Sequence, residues 1–266
     1  MLLKISHTTS YHYDSPVDYG LLQLRLTPKT HAGQTIVEWD ISINGGQKHL
    51  AFEDHNHNLV TLIGIEPGDH EVFITSQGVV DTADNAGIIG KHGGFAPVWF
   101  FERSTPLTEP GPQIRKLVKE LDSDFDGDIA RLHGLSVLIA DAMTYGAGKT
   151  EPDTTGEAAL LSGHGVCQDH AHVFVAAARL LGYPARYVSG YLMMDDRDQQ
   201  EASHAWAEVF LDGVGWVGFD VSNGISPDER YVRVATGLDY QDAAPISGMR
   251  YGAGGERMVV TLQVQQ

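Results

Sequence analysis

An α+β fold in two parts is what this sequence predicts, and three features predict it. Residues 1 to about 100 alternate apolar and polar side chains with period two. From Pro112 to about residue 180 apolar residues recur at three- and four-residue spacing, and the chain then returns to strands with no regular βαβ alternation. The first feature gives an antiparallel β-rich domain over 1–100. The other two give a second domain over 101–266, helices first and strands after, with VVTLQVQ (259–265) as its C-terminal strand.

Taken in order, TIVEWDISIN (35–44) alternates Val37, Trp39, Ile41 and Ile43 with Glu38, Asp40 and Ser42, the pattern of a strand with one buried face. LVTLIGI (59–65) and EVFITSQGVV (71–80) are further strands, separated by the turn Glu66-Pro67-Gly68-Asp69. The glycine-rich DNAGIIGKHGGFAP (84–97) has no period and reads as a linker or mobile loop. Pro112 opens a helix whose stripe is Ile114, Leu117, Val118 and Leu121, and Leu132, Leu135, Ile139 and Ala142 form the stripe of a second. Thr154-Thr155-Gly156-Glu157 fits a capping box that starts a short helix through Leu161. Beyond Pro184 come the strands ARYVSGYLMM (185–194), SHAWAEVFL (203–211) and GWVGFD (215–220), in which Tyr191, Trp206 and Trp216 read as core.

The stretch between those groups, GHGVCQDHAHVFVAAARLLGYP (163–184), carries the single cysteine of the chain. Ala171, Phe174, Ala178 and Leu181 lie at helical spacing, and Val173, Val175, Ala177 and Leu180 fill most of the other side. A helix apolar nearly all round belongs inside a domain. Gly182 and Pro184 stop it, so Cys167 falls in its first turn, where unpaired N–H groups and the helix dipole favour a thiolate. A lone intracellular cysteine is most often a small buried hydrophobe. Filler, however, is expected among the alanines, whereas Cys167 stands at the helix mouth beside Gln168 and Asp169, which argues for a nucleophile.

Composition bounds the partners. The 266 residues hold 18 basic and 35 acidic side chains, a net charge of -17, and no Lys/Arg cluster interrupts that field. Nucleic acid and anionic membrane are therefore excluded as expected partners. The N-terminus turns polar after three apolar residues and no eighteen-residue apolar span occurs, so a cytoplasmic location is expected, which a single cysteine suits.

A thiol nucleophile needs a base, and the base needs a group to orient it. His204, on the strand face shared with Trp206 and Glu208, and Asp220, ending GWVGFD before Ser222-Asn223-Gly224, supply those roles in chain order after Cys167. With thirteen histidines in the chain, residue types alone leave this trio balanced against unconnected polar residues. His164, Cys167, His170 and His172 mimic a zinc cluster, but His172 points away from Cys167 on a helix, and no metal or other cofactor is expected. Asp122, Asp124, Asp126 and Asp128 match the opening of a calcium-binding loop. His133 stands where the closing bidentate glutamate belongs, which favours a solvated acidic connection.

GVCQDHAHVFVAAARLLGYPARYVSGYL together with SHAWAEVFLDGVGWVGFDVSNG resembles the core of the bacterial transglutaminase-like proteins, which share the papain-like fold. HTTSYHYDSPVDYGLLQLRLTP (7–28) resembles the β-rich N-terminal domain that accompanies that core. The resemblance implies a catalytic triad of Cys167 as nucleophile, His204 as base and Asp220 as orienter. Val221 and Ser222 replace the usual proline and threonine after the aspartate, which implies a looser turn at Asp220.

The chemistry so implied is acyl transfer through a thioester. Cys167 attacks an amide carbonyl of a peptide, protein or small amide, His204 protonates the leaving amine, and water or a second amine completes the cycle. The Cys167 backbone N–H is one candidate oxyanion donor, and Gln168 is disfavoured as a second because it lies about 100° round the helix. Hydrolysis is expected to exceed amine transfer. The competing class is a non-catalytic binding protein that keeps a residual triad.

Overall fold

A computed structural model describes residues 1–200 and 202–266. Six strands open the chain: β1 (Leu2–Tyr13), β2 (Tyr19–Thr27), β3 (Gln34–Asn44), β4 (Gly46–Glu53), β5 (Leu59–Ile65) and β6 (Glu71–Thr82). The short β7 (Ile88–Gly90) follows, then two 3-10 turns, then α1 (Pro112–Glu120) and α2 (Asp128–Ala142). Next come β8 (Thr144–Tyr145), α3 (Gly156–Ser162), β9 (His164–Gly165) and the long α4 (Cys167–Leu180). The chain closes with β10 (Ala185–Leu192), β11 (Gln199–Gln200), β12 (His204–Leu211), β13 (Gly215–Phe219), β14 (Tyr231–Gly237), α5 (Tyr240–Ala243), β15 (Ile246–Tyr251) and β16 (Glu256–Gln265).

These strands form three main sheets, ordered β11-β16-β1-β6-β3, β15-β2-β5-β4 and β14-β10-β12-β13-β7. The first two face each other through Tyr11, Leu22, Leu24, Ile63, Val72 and Ile74, the sandwich that the period-two pattern predicts. The third is the core sheet. One face takes α4, whose Val173, Phe174 and Ala177 pack with Ala207, Val209 and Phe219. Its other face meets the first sheet, where Tyr191, Val232 and Val234 join Leu3, Ile5, Val80 and Leu262. Tyr191, Trp206 and Trp216 are all buried, as expected of core aromatics.

Several local expectations change once long-range pairing is known. Val37 was expected inside, yet it is 60% exposed, because the β3–β6 register shifts between Ile36 and Glu38 and a bulge there puts Ile36 in phase with Trp39 instead. The glycine-rich 84–97 stretch is not a free linker: β7 pairs with β13 and forms an edge of the core sheet. The strand at 259–265, expected with the second domain, pairs along its length with β1, and β15 pairs with β2. The C-terminal strands thus return to the N-terminal sheets, where they take up the backbone hydrogen bonds of β1 and β2.

The helices follow their stripes, with Ile114 and Leu117 buried on α1 and Leu132, Leu135 and Ile139 on α2, while Ala142 is exposed. The capping box shifts by one residue. Thr155 is the N-cap of α3 and accepts from Ala158 N–H, while Glu157 reaches across to α1. Its carboxylate accepts from the N–H groups of Gly111, Gln113 and Ile114 at 3.1, 2.7 and 3.1 Å, which the side-chain-free Gly111 cap leaves unserved. At the far end of α4, Arg179 is 8% exposed and donates to the carbonyls of Phe101, Ala185 and Leu238 and to Thr108 Oγ1. One guanidinium therefore fixes α4 to both 3-10 turns, to β10 and to the end of β14.

Candidate active site

α4 reaches the core through a sharply built entry. Gly163, at φ +70, ends α3 by donating to the Ala159 carbonyl, and β9 then runs parallel to β8. Asp169, in the first turn of α4 and 1% exposed, accepts from Val166 N–H at 2.8 Å and Thr150 Oγ1 at 2.7 Å. Its side chain lies so close to Gly165 that a Cβ there would stand 2.6 Å from the Asp169 Cβ. This packing fixes the turn that presents Cys167, whose side chain is half-buried at the helix mouth.

His204 begins β12, paired opposite Gly190 of β10. The ring of Trp206 lies over Gly190, where any side chain would collide with it, and also stacks on His204 at 6.1 Å between ring centres. The imidazole is held between two groups. Its Nε2 meets Asp220 Oδ2 at 2.6 Å, and Cys167 lies close enough to the ring to raise its proton affinity. The structure therefore brings all three sequence-predicted residues together.

Asp220 is fully buried and well served. Oδ1 accepts from Ser222 Oγ at 2.7 Å and Asn223 N–H at 3.2 Å, and Oδ2 from Asn223 Nδ2 at 2.7 Å and the Tyr231 hydroxyl at 2.8 Å. A paired bridge, Asp220 N–H to the Ile225 carbonyl at 2.8 Å and Ile225 N–H back at 3.2 Å, closes the turn. Val221 is buried there at 3% exposure. Val221 and Ser222 do not leave the turn without support: Ser222 is itself one of the donors, and the Asp220–Ile225 bridge spans it.

Burial alone would push the His204 imidazole down. The hydrogen bond to Asp220, the nearby Cys167 and the negative charge of both groups outweigh it and hold His204 up at about 10. Burial would likewise raise Asp220, but the hydrogen bond and charge of His204, with Asn223 and Ser222, hold the carboxyl down at about 2. The arrangement stores a proton on a buried imidazole beside a thiol at a helix mouth, where the first N–H groups have no intrahelical acceptor.

Asn223 and Tyr231 bind Asp220 without having been singled out for it by sequence, and Tyr145 is a further omission. The Tyr145 ring stacks on His170, three residues along α4 from Cys167, and burial, and then the negative charge of Cys167 and Asp220, push its hydroxyl upward. Its only sequence signal was the helix-ending YGAG. Gln168 turns away, as expected, donating to the Pro152 carbonyl at 3.0 Å.

The neighbouring histidines are tied to backbone. His170 meets the carbonyls of Val166 and Met143 at 2.9 and 3.4 Å, and His172 Nε2 accepts from Tyr240 N–H at 3.1 Å. In the acidic loop Asp122 accepts from the N–H of Ser123 and Asp124, and Asp128 from the Tyr183 hydroxyl. Among the described residues no three carboxylate, histidine or cysteine side chains converge as metal ligands, and no helix is long and apolar enough to cross a membrane.

Comparison with known proteins bears on the family and the fold. Residues 115–221 match the transglutaminase-like superfamily and residues 3–81 the bacterial transglutaminase-like N-terminal region. Uncharacterized proteins of Mycobacterium leprae and Mycobacterium tuberculosis are 26% and 27% identical, over 98% of this chain and 98% and 91% of theirs. A crystal structure from Cytophaga hutchinsonii, of a protein for which cysteine protease activity is only suggested, has the same fold. It superposes with a TM-score of 0.78 at 20% identity, covering 100% of this chain and 90% of that one.

Proposed function

The chain belongs to the transglutaminase-like superfamily, and from that premise we propose that it is a cysteine-dependent amidase or peptidase working through a thioester, with Cys167, His204 and Asp220 as its triad. The observation that carries the proposal is the buried His204–Asp220 contact of 2.6 Å, on a ring whose electrostatics also feel Cys167 at the mouth of α4. In this reading residues 101–245 form the catalytic unit, and the N-terminal sheets, completed by β15 and β16, are its frame.

Cys167 sulfur attacks the amide carbon, and the C–N bond breaks as the imidazolium of His204 gives its proton to the departing amine. The oxygen of the tetrahedral intermediate accepts from the Cys167 N–H, a donor of a kind that lowers such barriers by about 2.7–4 kcal/mol. Water, deprotonated by the now neutral His204, then cleaves the thioester. Asp220 keeps the ring oriented and charged without titrating itself.

A thiol-directed electrophile tests the reading. Chloroacetamide should label Cys167 in the wild type at pH 6 at least about tenfold faster than in His204→Ala, because without the imidazolium the nucleophile loses its partner. Equal labelling rates in the two proteins would leave a residual triad without catalytic function.

A further inference from the structure

The junction between the N-terminal sheets and the core sheet holds charges that the Cys167 site does not use. Glu208 on β12 is fully buried and commits both oxygens to arginines, Oε2 to Arg186 at 2.6 Å and Oε1 to Arg233 at 2.7 Å. The Arg186 guanidinium also lies over Trp216, 3.8 Å from the ring centre. Arg25 is paired with Asp54 at 3.5 Å. Arg186, Arg233 and Lys29 share the one carboxylate of Glu208, so when Lys29 is protonated two positive charges are in excess inside a chain whose net charge is -17.

Lys29, His31, Asn56, Arg186 and Arg233 line one cavity of about 170 Å³. That is room for about five water-sized groups. Lys29 Nζ is buried there and has no hydrogen-bond partner among the described residues, and the same holds for Asn56 Nδ2 and Oδ1 and for His31 Nε2. Polar groups buried in this way are destabilising unless something supplies their missing bonds. The field is felt locally: burial, then Arg233 and, against the pull of Asp54, Arg186, push Lys29 down to about 7. At the rim His57, paired with Glu53, is pushed down by burial and by Lys29, Arg233 and Arg186.

We propose that this cavity is a binding site for inorganic phosphate, held by Lys29, Arg233 and Asn56. With Lys29 protonated, the state that a bound anion favours, the excess of two positive charges matches a dianion, and five heavy atoms match the space. His31 adds selectivity for a protonated oxyanion. Its Nδ1 donates to the Ala32 carbonyl at 2.7 Å, which leaves Nε2 as an acceptor for the P–OH of hydrogenphosphate. The β2–β3 loop, the β4–β5 turn and the strands β10 and β14 meet here, so the ion would join the N-terminal sheets to the core.

Calorimetric titration of the full chain with sodium phosphate at pH 7, against sodium chloride of equal ionic strength, tests the site. Saturable binding of one phosphate per chain is expected, with a melting temperature that climbs as phosphate rises. Lys29→Met should weaken that binding at least tenfold without changing the rate at which Cys167 is alkylated. Asn56→Asp, which puts a carboxylate in the lining, should abolish it and serves as the second variant if Lys29→Met does not fold. Absence of saturable heat with the wild type, or unchanged phosphate affinity in whichever variant folds, would overturn the proposal.

Discussion

Asp220 accepts hydrogen bonds from His204, Ser222, Asn223 and Tyr231 while fully buried, and this one carboxylate sets the electrostatics of the site. Because His204 titrates at about 10 in the fold against an ordinary 6.5, its pairing adds stability that is fully present below pH 6.5 and is lost as pH rises toward 10. Asp220, held at about 2 against 3.8, adds stability that is present above pH 3.8 and lost as pH falls toward 2. Asp220→Asn removes the negative partner, so the His204 ring resonance followed by NMR should titrate at least one pH unit lower than in the wild type. Turnover should fall roughly 10²–10⁴-fold, the range lost when a triad base is wrongly oriented. A His204 titration unmoved by the substitution would show that the carboxylate does not govern the ring. Residue types and chain order alone left Cys167, His204 and Asp220 balanced against unconnected polar residues, because thirteen histidines make such a set easy to find, and it was the resemblance of the surrounding motifs that singled the trio out. Tyr231 and Asn223 were not singled out, since a buried donor is recognisable only once its acceptor is placed.

At the scale of elements, α4 was readable to within its first turn because an all-round apolar helix with glycine and proline stops has few alternatives. The errors fall where a partner distant in sequence decides local structure. The period of 35–44 is regular, but a bulge is a property of two strands, and nothing in Val37 itself marks it. β7 is three residues long and exists because β13 offers an edge. Glu157 behaves the same way: placed three residues after Thr154 it looks like a local cap, yet the neighbouring α1 begins at a glycine and takes the carboxylate instead. Glu157→Ala should therefore destabilise the protein by about 1–3 kcal/mol, as loss of a charged acceptor shared by helix-end N–H groups does. Urea unfolding checks this. Thr154→Ala, by contrast, should cost less than about 1 kcal/mol, because Thr155 is the α3 cap.

Across the whole molecule negative charge is in excess, and among the described residues no three acidic, histidine or cysteine side chains gather as a metal site. The Asp122 and Asp128 carboxylates are engaged with backbone N–H groups and Tyr183, so millimolar calcium should leave the melting temperature within about 1 °C of a chelated control. The same charge bears on what the thioester meets. Transfer to an amine needs a subsite that holds the acceptor and keeps out water, which is present at ~55 M and must be outcompeted by positioning. Cys167 is only half-buried and Tyr145 beside it is 57% exposed, so water has access to the acyl group. A net charge of -17 draws cationic amines toward the chain, but that attraction is long-range and falls with ionic strength. Hydrolysis should therefore dominate, with amine transfer a minor product that shrinks as salt rises. A glutamine-containing peptide supplied with excess primary amine, its products resolved by mass spectrometry at low and at physiological salt, measures the ratio. Free acid should exceed amine adduct at both, and Cys167→Ala should abolish both products. A predominance of adduct at physiological salt would identify a transferase and require an acceptor subsite at the Cys167 mouth.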